Sequence, residues 1–337
     1  MIKNFLLITG GTGGHVIPAQ NFANYLRNKN IDCKIIIDKR GKKYINDFNG
    51  KIHIVFSSNL NGKIISKIFG LMSLFIGFIQ SFLLILYYRP TVVISFGSYA
   101  SFFPMFSSLI LKYFFGTKLF IHEQNSIIGR TNKFFINFVD KIFLNFEVTL
   151  DINEKYQKNI YVVGSPQKIN SNLDIKENLD IEKKFVVFIY GGSQGSEFIS
   201  TFSSKLIKII DEEKIIEAKF IFQSPKHMIK IIKNDLKRVD SEIIIKNYFN
   251  NIDEILNQTS IAISRAGAGS ISDLMFNGVP SILMPLPSAK DNHQFYNASI
   301  LQKHDLAIIL KQNENELERA KKYIYEIYND KNKVKLI

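Results

Sequence analysis

The sequence predicts an α/β protein made of two successive βα arrays, each a parallel sheet with helices on both faces. Three observations carry that expectation. Short apolar runs alternate with segments of helical spacing in the first half of the chain, and the alternation restarts after about residue 184. Each array opens with a strand that runs into glycines, Lys3–Thr9 before Gly10-Gly11 and Phe185–Tyr190 before Gly191-Gly192. The length, 337 residues, suits two domains of about 100–200 residues each. Strands that are apolar throughout belong in parallel sheets, because helices keep water off both faces.

In the first array, Lys3–Thr9 leads to a helix over Pro18–Arg27, marked by the spacing of Phe22, Ala23 and Leu26. Strand candidates follow at Cys33–Ile37, His53–Phe56, Thr91–Ser95, Lys118–His122 and Lys141–Leu144. Asn153–Lys184 is polar and rich in asparagine around Val162-Val163-Gly164-Ser165-Pro166, and reads as an inter-domain connection. It places the domains at 1–163 and 164–313. The second array offers Phe185–Tyr190, Ala218–Gln223, Glu242–Lys246, Ile261–Ser264 and Ser281–Met284, and Glu314–Tyr328 is helix-like. Ligands bind such sheets at the carboxyl ends of strands. Two arrays facing one another would hold a site in the cleft between them.

Composition narrows the class. With 46% hydrophobic and 22% charged residues the chain is a packed protein and not a disordered one. A lone cysteine, Cys33, excludes an intramolecular disulfide and a cysteine zinc site, and fits a reducing cytosol. The apolar run Phe5–Ile8 is too short for a signal-peptide core. Lys and Arg number 43 against 30 Asp and Glu, a formal net charge of +13. Such an excess suits an anionic partner: nucleic acid, an anionic membrane surface or a phosphorylated substrate. A chain-wide bias toward Lys, Ile and Asn is the competing source of the charge.

Ile68–Tyr88 carries no charged residue and is long enough to span a bilayer. A span would separate the first three strands from the sheet that Thr91–Ser95 should join. The preferred reading is one helix packed on the sheet by one face, with the other face exposed. Lys63, Lys67 and Arg89 flank this run, and Lys112 and Lys118 flank a second one, Phe102–Phe115. An apolar face rimmed by lysines suits an anionic membrane surface; a fully buried core helix is the alternative.

Thr9-Gly10-Gly11-Thr12-Gly13-Gly14-His15 follows the first strand. Its glycines let the backbone approach a ligand, and the next helix offers free amides for phosphate. A dinucleotide fingerprint is similar, with Asp38 as its ribose acid, but Val16 fills the third glycine position. The segments GGTGGHVIPA (10–19), ISFGSYAS (94–101), IHEQNSIIGRTNK (121–133), VVGSP (162–166), GGSQGS (191–196), SRAGAGSISDL (264–274) and DNHQFYNA (291–298) occur in this order. Together they resemble the MurG family of bacterial glycosyltransferases, over about residues 1–310.

The resemblance implies the GT-B fold, two Rossmann-like parallel-sheet domains facing a central cleft. It implies inverting transfer of N-acetylglucosamine from UDP-N-acetylglucosamine to lipid I, the undecaprenyl-linked muramyl-pentapeptide, with no metal in the chemistry and no cofactor. UDP-N-acetylglucosamine would bind mainly the C-terminal domain, and the lipid acceptor the N-terminal one. An apolar, basic-rimmed patch would seat the enzyme peripherally on the cytoplasmic face of the plasma membrane. A closing helix, about 314–330, would return to the N-terminal domain.

His15, at the tip of the first glycine turn, is the candidate base, since an imidazole titrates near neutral pH; a diphosphate contact and a helix cap are its other readings. Glu123 is the second candidate base, or else a satisfied structural carboxylate. By resemblance, Thr12, Gly13 and Gly14 approach the sugar or diphosphate with backbone amides, and Asn125 contacts the sugar. Ser193 and the helix start at Ala268, Gly269 and Ser270 would take the diphosphate. The backbone of Phe249 would meet uracil, and Gln294, assisted by His293, the sugar hydroxyls. Two positions depart from the family pattern. Lys168 stands where an arginine would reach the diphosphate, and loses its bidentate fork. Asp273 stands where a glutamate would hold the ribose, one methylene short. A related diacylglycerol glycosyltransferase is the alternative enzyme, with HEQN and DNHQ against it. A non-catalytic nucleotide sensor and a nucleic-acid-binding protein complete the alternatives, the last without a recognition motif to support it.

Overall fold

Two parallel sheets organise the chain in the computed structural model, which describes residues 4–58, 64–168, 184–192, 195–214 and 216–330; counts and absences below refer to these. The chain divides into two compact units, Met1–Ser171 and Asn172–Ile337. In the first, β1 (Asn4–Ile8), β2 (Asp32–Asp38), β3 (Lys51–Val55), β4 (Val92–Ser95), β5 (Lys118–Glu123), β6 (Lys141–Leu144) and β7 (Ile160–Val162) form a sheet of order β3-β2-β1-β4-β5-β6-β7. Every pairing is parallel. Its helices are α1 (Gly13–Asn28), α2 (Lys39–Lys42), α3 (Ile64–Tyr88), α4 (Phe102–Phe115) and α5 (Arg130–Phe135).

Side chains that alternate along the strands divide the core into two layers. Leu7, Ile35 and Ile37 pack with Val16, Ala19 and Ala23 of α1 on one face. Leu6, Ile8 and Ile36 pack with Ile85 of α3 and Met105 and Leu111 of α4 on the other. Both layers exclude water, so β1 reads as an unbroken apolar run. The strand β7 was unforeseen. It lies inside the polar stretch expected to be a connection, and pairs with β6 through Ile142–Ile160 to Leu144–Val162. Gly164 and Pro166, beyond the expected boundary at 163, are still held by the first unit through His122 Nε2 to Gly164 O (2.9 Å) and Asn21 Nδ2 to Pro166 O (3.0 Å).

The second unit holds β8 (Phe185–Tyr190), α6 (Glu197–Glu212), β9 (Ala218–Gln223), α7 (Ile229–Asp235), β10 (Glu242–Lys246), α8 (Ile252–Gln258), β11 (Ile261–Ser264), α9 (Ala268–Phe276), β12 (Ser281–Leu283), α10 (His293–Lys303), β13 (Ala307–Ile309) and α11 (Leu317–Asn329). The sheet order is β10-β9-β8-β11-β12-β13, again all parallel. In both sheets the first strand lies between its successor and a later strand. Such a switch point opens a crevice at the strands' carboxyl ends, where ligands bind. The helix expected over about 314–330 is α11. Ala320, Tyr323, Ile324 and Ile327 of α11, a stripe at helical spacing, join Phe202, Leu206 and Ile210 of α6 in the second unit's own core. Lys321 to Glu213 (3.0 Å) fastens the same contact from outside. Burying that stripe on α6 anchors α11 in the second unit's core.

Candidate active site

The carboxyl ends of β1, β4 and β5, neighbours in the sheet, bring the first group of side chains together. His15 lies in the first turn of α1, where Thr12 O accepts the His15 amide at 3.1 Å. Its Nδ1 stands 2.8 Å from Phe96 O, just past β4, and 2.7 Å from Gln124 Oε1, just past β5. A carbonyl oxygen only accepts, so Nδ1 carries the hydrogen and the neutral ring keeps its lone pair on Nε2. That atom makes no hydrogen bond among the described residues. Gly97, at φ +80°, gives the ring room: a Cβ there would lie 3.3 Å from Asn132 Nδ2 and 3.6 Å from His15 Nδ1.

Glu123 does not fit the role of base. It is 1% exposed, with Oε1 accepting from Asn125 N (3.1 Å) and Asn125 Nδ2 (3.3 Å). Its Oε2 accepts from Gly129 N (2.9 Å) and Asn132 Nδ2 (2.8 Å). Four donors occupy the carboxylate, which clamps the loop after β5 and turns Asn125 into a fixed orientation. The glycine turn also divides. Gly13 is buried against Ile17 and Tyr44, whereas a Cβ on Gly14 would meet only Thr12 Oγ1, at 3.8 Å, and Thr12 is exposed. Asp38 is committed elsewhere: Oδ1 accepts from Gly11 N and Gly41 N, both at 2.9 Å, and Oδ2 from Arg40 Nε (3.0 Å) and Ser57 Oγ (3.3 Å). The dinucleotide alternative thereby loses its ribose acid. Lys168 is exposed.

The second group forms at the ends of β8, β11 and β12. Gly191 follows β8 where a Cβ would collide with the Ser196 amide, so only glycine lets the turn fold back on the start of α6. Ser193 lies outside the described residues. The start of α9 is open: a Cβ on Gly192, Gly267 or Gly269 would meet nothing within 4 Å, while Ala268 is buried and Ser270 half-buried. Free first-turn amides and the helix dipole favour an anion there. Arg265, not singled out from the sequence, stands beside them. Its Nη2 donates to Ser196 Oγ (2.7 Å) and Nη1 to Met284 O (3.2 Å), and it has no carboxylate partner among the described residues. Burial lowers its pKa from the ordinary arginine value. The signal was its position, first after a buried strand and just before a glycine-rich helix start.

Tyr190 O–H meets Ser270 O at 3.5 Å, and burial followed by the Asp273 carboxylate pushes this phenol's pKa up. Asp273 thus lies on α9 facing the end of β8. Gln294 Oε1 accepts from Leu286 N (2.9 Å), which leaves its amide hydrogens for a ligand, and His293 Nδ1 bonds Lys290 O (2.7 Å). The Phe249 side chain is buried edge-on to Phe188, so only its backbone can serve a ligand. No group of three or more His, Cys, Asp or Glu among the described residues is placed to hold a metal ion.

The apolar run is one helix, α3, and it joins two strands of one sheet. Along it Gly70, Gly77, Ser81 and Ile85 are buried, and a Cβ on Gly77 would collide with Phe56 O. Ile68, Phe69, Leu71, Met72, Phe75, Ile76, Ile79, Leu83, Leu86 and Tyr87 are exposed. Small residues face inward and large apolar ones outward, the reverse of a helix on a water-facing surface. Lys67–Tyr88 is long and apolar enough to cross a membrane, by length and composition alone. The helix is not the fully buried core helix of the alternative reading, since within Lys67–Tyr88 only Gly70, Gly77, Ser81 and Ile85 are buried. The lysine rim is thinner than expected. Lys112 and Lys118 both reach Asp140, at 2.9 and 3.4 Å, and Lys63 lies outside the described residues.

Two Rossmann-like parallel sheets in one chain, each with its polar groups at the switch point, define the GT-B class of nucleotide-sugar enzymes. Residues 5–144 match the glycosyltransferase family 28 N-terminal domain, and residues 186–336 its C-terminal domain. The UDP-N-acetylglucosamine–N-acetylmuramyl-(pentapeptide) pyrophosphoryl-undecaprenol N-acetylglucosamine transferase of Rickettsia felis is 32% identical over 339 residues, covering 98% of this chain and 92% of the relative. The transferase of the same name from Rickettsia canadensis is 33% identical over 314 residues, covering 93% and 87%. The chain belongs to the MurG family of glycosyltransferases. In fold it is similar to the crystal structure of MurG from Acinetobacter baumannii, with a TM-score of 0.77 at 19% identity over 97% of this chain and 92% of that one. It is also similar to the glycosyltransferase of kitacinnamycin, with a TM-score of 0.73 at 11% identity over 99% and 93%.

Proposed function

We propose that the protein transfers N-acetylglucosamine from UDP-N-acetylglucosamine to undecaprenyl-pyrophosphoryl-N-acetylmuramyl-pentapeptide, lipid I, giving lipid II for peptidoglycan synthesis. The observation that carries the reading is the end-to-end similarity to relatives named for this reaction. The site chemistry agrees with it. A hydroxyl oxygen of the acceptor attacks the anomeric carbon from the face opposite the diphosphate. As the new C–O bond forms, the bond to the diphosphate oxygen breaks, its electron pair leaves with UDP, and the centre inverts. The hydroxyl proton passes to His15 Nε2, the ring nitrogen with the lone pair.

The donor's diphosphate lies at the start of α9 with Arg265, where free amides and a guanidinium without a carboxylate partner stabilise the charge that grows on the leaving group. Gln294 and Asn125 contact sugar hydroxyls, the Phe249 backbone meets the uracil, and Lys168 adds charge to the diphosphate. Asp273 reaches the ribose through water. Thr12 and Gly14 line the approach to His15. The exposed face of α3 docks on an anionic leaflet at the cytoplasmic side of the membrane, which keeps the enzyme beside its lipid acceptor.

The test is transfer of labelled N-acetylglucosamine from its UDP form to a lipid I analogue, with diacylglycerol and UDP-galactose as competing acceptor and donor. Transfer to lipid I alone is expected; glycosylation of diacylglycerol alone would overturn the reading. Co-sedimentation with phosphatidylglycerol vesicles tests the docking face. The Phe75→Asp/Leu83→Asp protein should stay in the supernatant yet glycosylate a short-chain, detergent-soluble acceptor at an unchanged rate.

A further inference from the structure

His15 is not the end of its hydrogen-bond chain. Gln124 reaches it with Oε1 and reaches away from it with Nε2, which lies 3.0 Å from His122 O and 3.0 Å from His122 Nδ1. The backbone carbonyl can only accept, so the end of the amide that faces His122 is the NH2 group and the end that faces His15 is the oxygen. His122 is oriented in turn. Its Nε2 lies 2.9 Å from Gly164 O, another pure acceptor, so Nε2 carries the hydrogen and Nδ1 offers a lone pair to Gln124. The ring stacks on Phe96, with centroids 5.2 Å apart, and Phe96 O is the other acceptor of His15 Nδ1. Burial holds the His122 pKa down to about 4, so the ring is neutral in this role.

We propose that Gln124, its amide oriented by His122, is a positioning residue that keeps His15 in the Nδ1–H tautomer and so leaves Nε2 as the one proton-accepting atom of the ring. Every donor in the chain Gly164 O, His122, Gln124, His15 points the same way. Reversing the Gln124 amide would set NH2 against the Nδ1 hydrogen and leave two acceptors of His122 unserved. Phe96 O holds the tautomer alone when Gln124 is removed, so the loss is partial. The proposal deepens the reading of His15 as base and rests on it for its effect on turnover.

Imidazole nitrogen spectra of the full chain, labelled at histidine with ¹⁵N, test the arrangement directly, the His15 signals being assigned by their loss in His15→Asn. The expected result is a protonated Nδ1 and a bare Nε2 for neutral His15; a protonated Nε2 as the major form would overturn the proposal, whatever any variant does. Gln124→Met should lower kcat for transfer by about 10–100-fold, the scale seen when a metal-ligating histidine loses its orienting partner, with the KM for UDP-N-acetylglucosamine changed less than about twofold. Gln124→Glu keeps an acceptor against Nδ1 and should restore most of that loss, while moving the acid limb of the kcat/KM profile to higher pH, because a carboxylate there favours the imidazolium. An unchanged kcat and acid limb in Gln124→Met would overturn the proposal. If His15→Ala keeps its turnover, the reading of His15 as base fails, whereas the tautomer measurement still decides this one.

Discussion

The two switch points are built from different parts. At the ends of β1, β2, β4 and β5 the work falls to side chains, and nearly every polar group is committed: the His15 Nδ1 hydrogen to Phe96 and Gln124, Glu123 to four donors and Asp38 to four more, with the His15 Nε2 lone pair left over. At the ends of β8, β11 and β12 the surface is backbone and small side chains, with open space over Gly192, Gly267 and Gly269 and one guanidinium. The proposed proton transfer to His15 needs one atom in one tautomer, which suits a rigid network. The proposed diphosphate site needs several N–H groups over an area, which suits a bare helix start.

The largest expected effect breaks the first region and leaves the second intact. His15→Ala should lower turnover by about 100- to 10,000-fold, the range of general base catalysis. UDP binding, followed by calorimetry, should stay within about twofold; a variant that turns over at the parent rate would refute the assignment. The converse is Arg265→Ala, which should weaken UDP affinity by about 10- to 100-fold, as loss of a charge-assisted contact of about 1.5–3 kcal/mol implies. His15 should keep its imidazole nitrogen signals in that protein. Equal UDP affinity in the two proteins would place the diphosphate elsewhere.

The last expected effect falls on stability rather than on either switch point's ligand, and concerns pH. The His122 pKa falls from about 6.5 in the unfolded chain to about 4 in the folded one, chiefly through burial, against which the hydrogen bond to Gly164 O works only in part. Between those values the unfolded chain binds more protons. Folding stability should therefore fall as pH drops from about 6.5 to 4, by roughly 3 kcal/mol at most. Thermal melts across that window should show the decline, and His122→Asn should flatten it. An equally steep slope in the variant would show that other groups cause it.

Much of the fold was legible because buried parallel strands are apolar along their whole length and stop at glycines. The expected Thr91–Ser95 is observed at Val92–Ser95, and Ser281–Met284 at Ser281–Leu283. Other features depended on tertiary partners. β7 is a three-residue edge strand, Ile-Tyr-Val, of which Tyr161 and Val162 are exposed, and so short an apolar run does not stand out from the polar stretch around it. α11 announces an apolar stripe but not which core receives it. α1 starts at Gly13, five residues before the expected Pro18, because its first turn is made of glycines and a histidine that no propensity would choose.

At the site, HEQN drew attention to Glu123 and Asn125. In an extended segment residues two apart share a side, and the other pair, His122 and Gln124, turns toward His15. That alternation was readable; the direction of each hydrogen bond was not, since it follows from carbonyls that only the fold brings near. Arg265 was missed for a similar reason. Its lack of a carboxylate partner is a statement about neighbours.

The Asp38 carboxylate has a consequence for anyone who would repurpose this protein. It buckles together three segments that follow three successive strands, at Gly11, at Arg40 and Gly41, and at Ser57. A dinucleotide graft on the first glycine turn would need that same acid for its ribose. Restoring a glycine at Val16 would then be the minor part of the redesign, because the clasp must be undone before the acid can be lent to a cofactor.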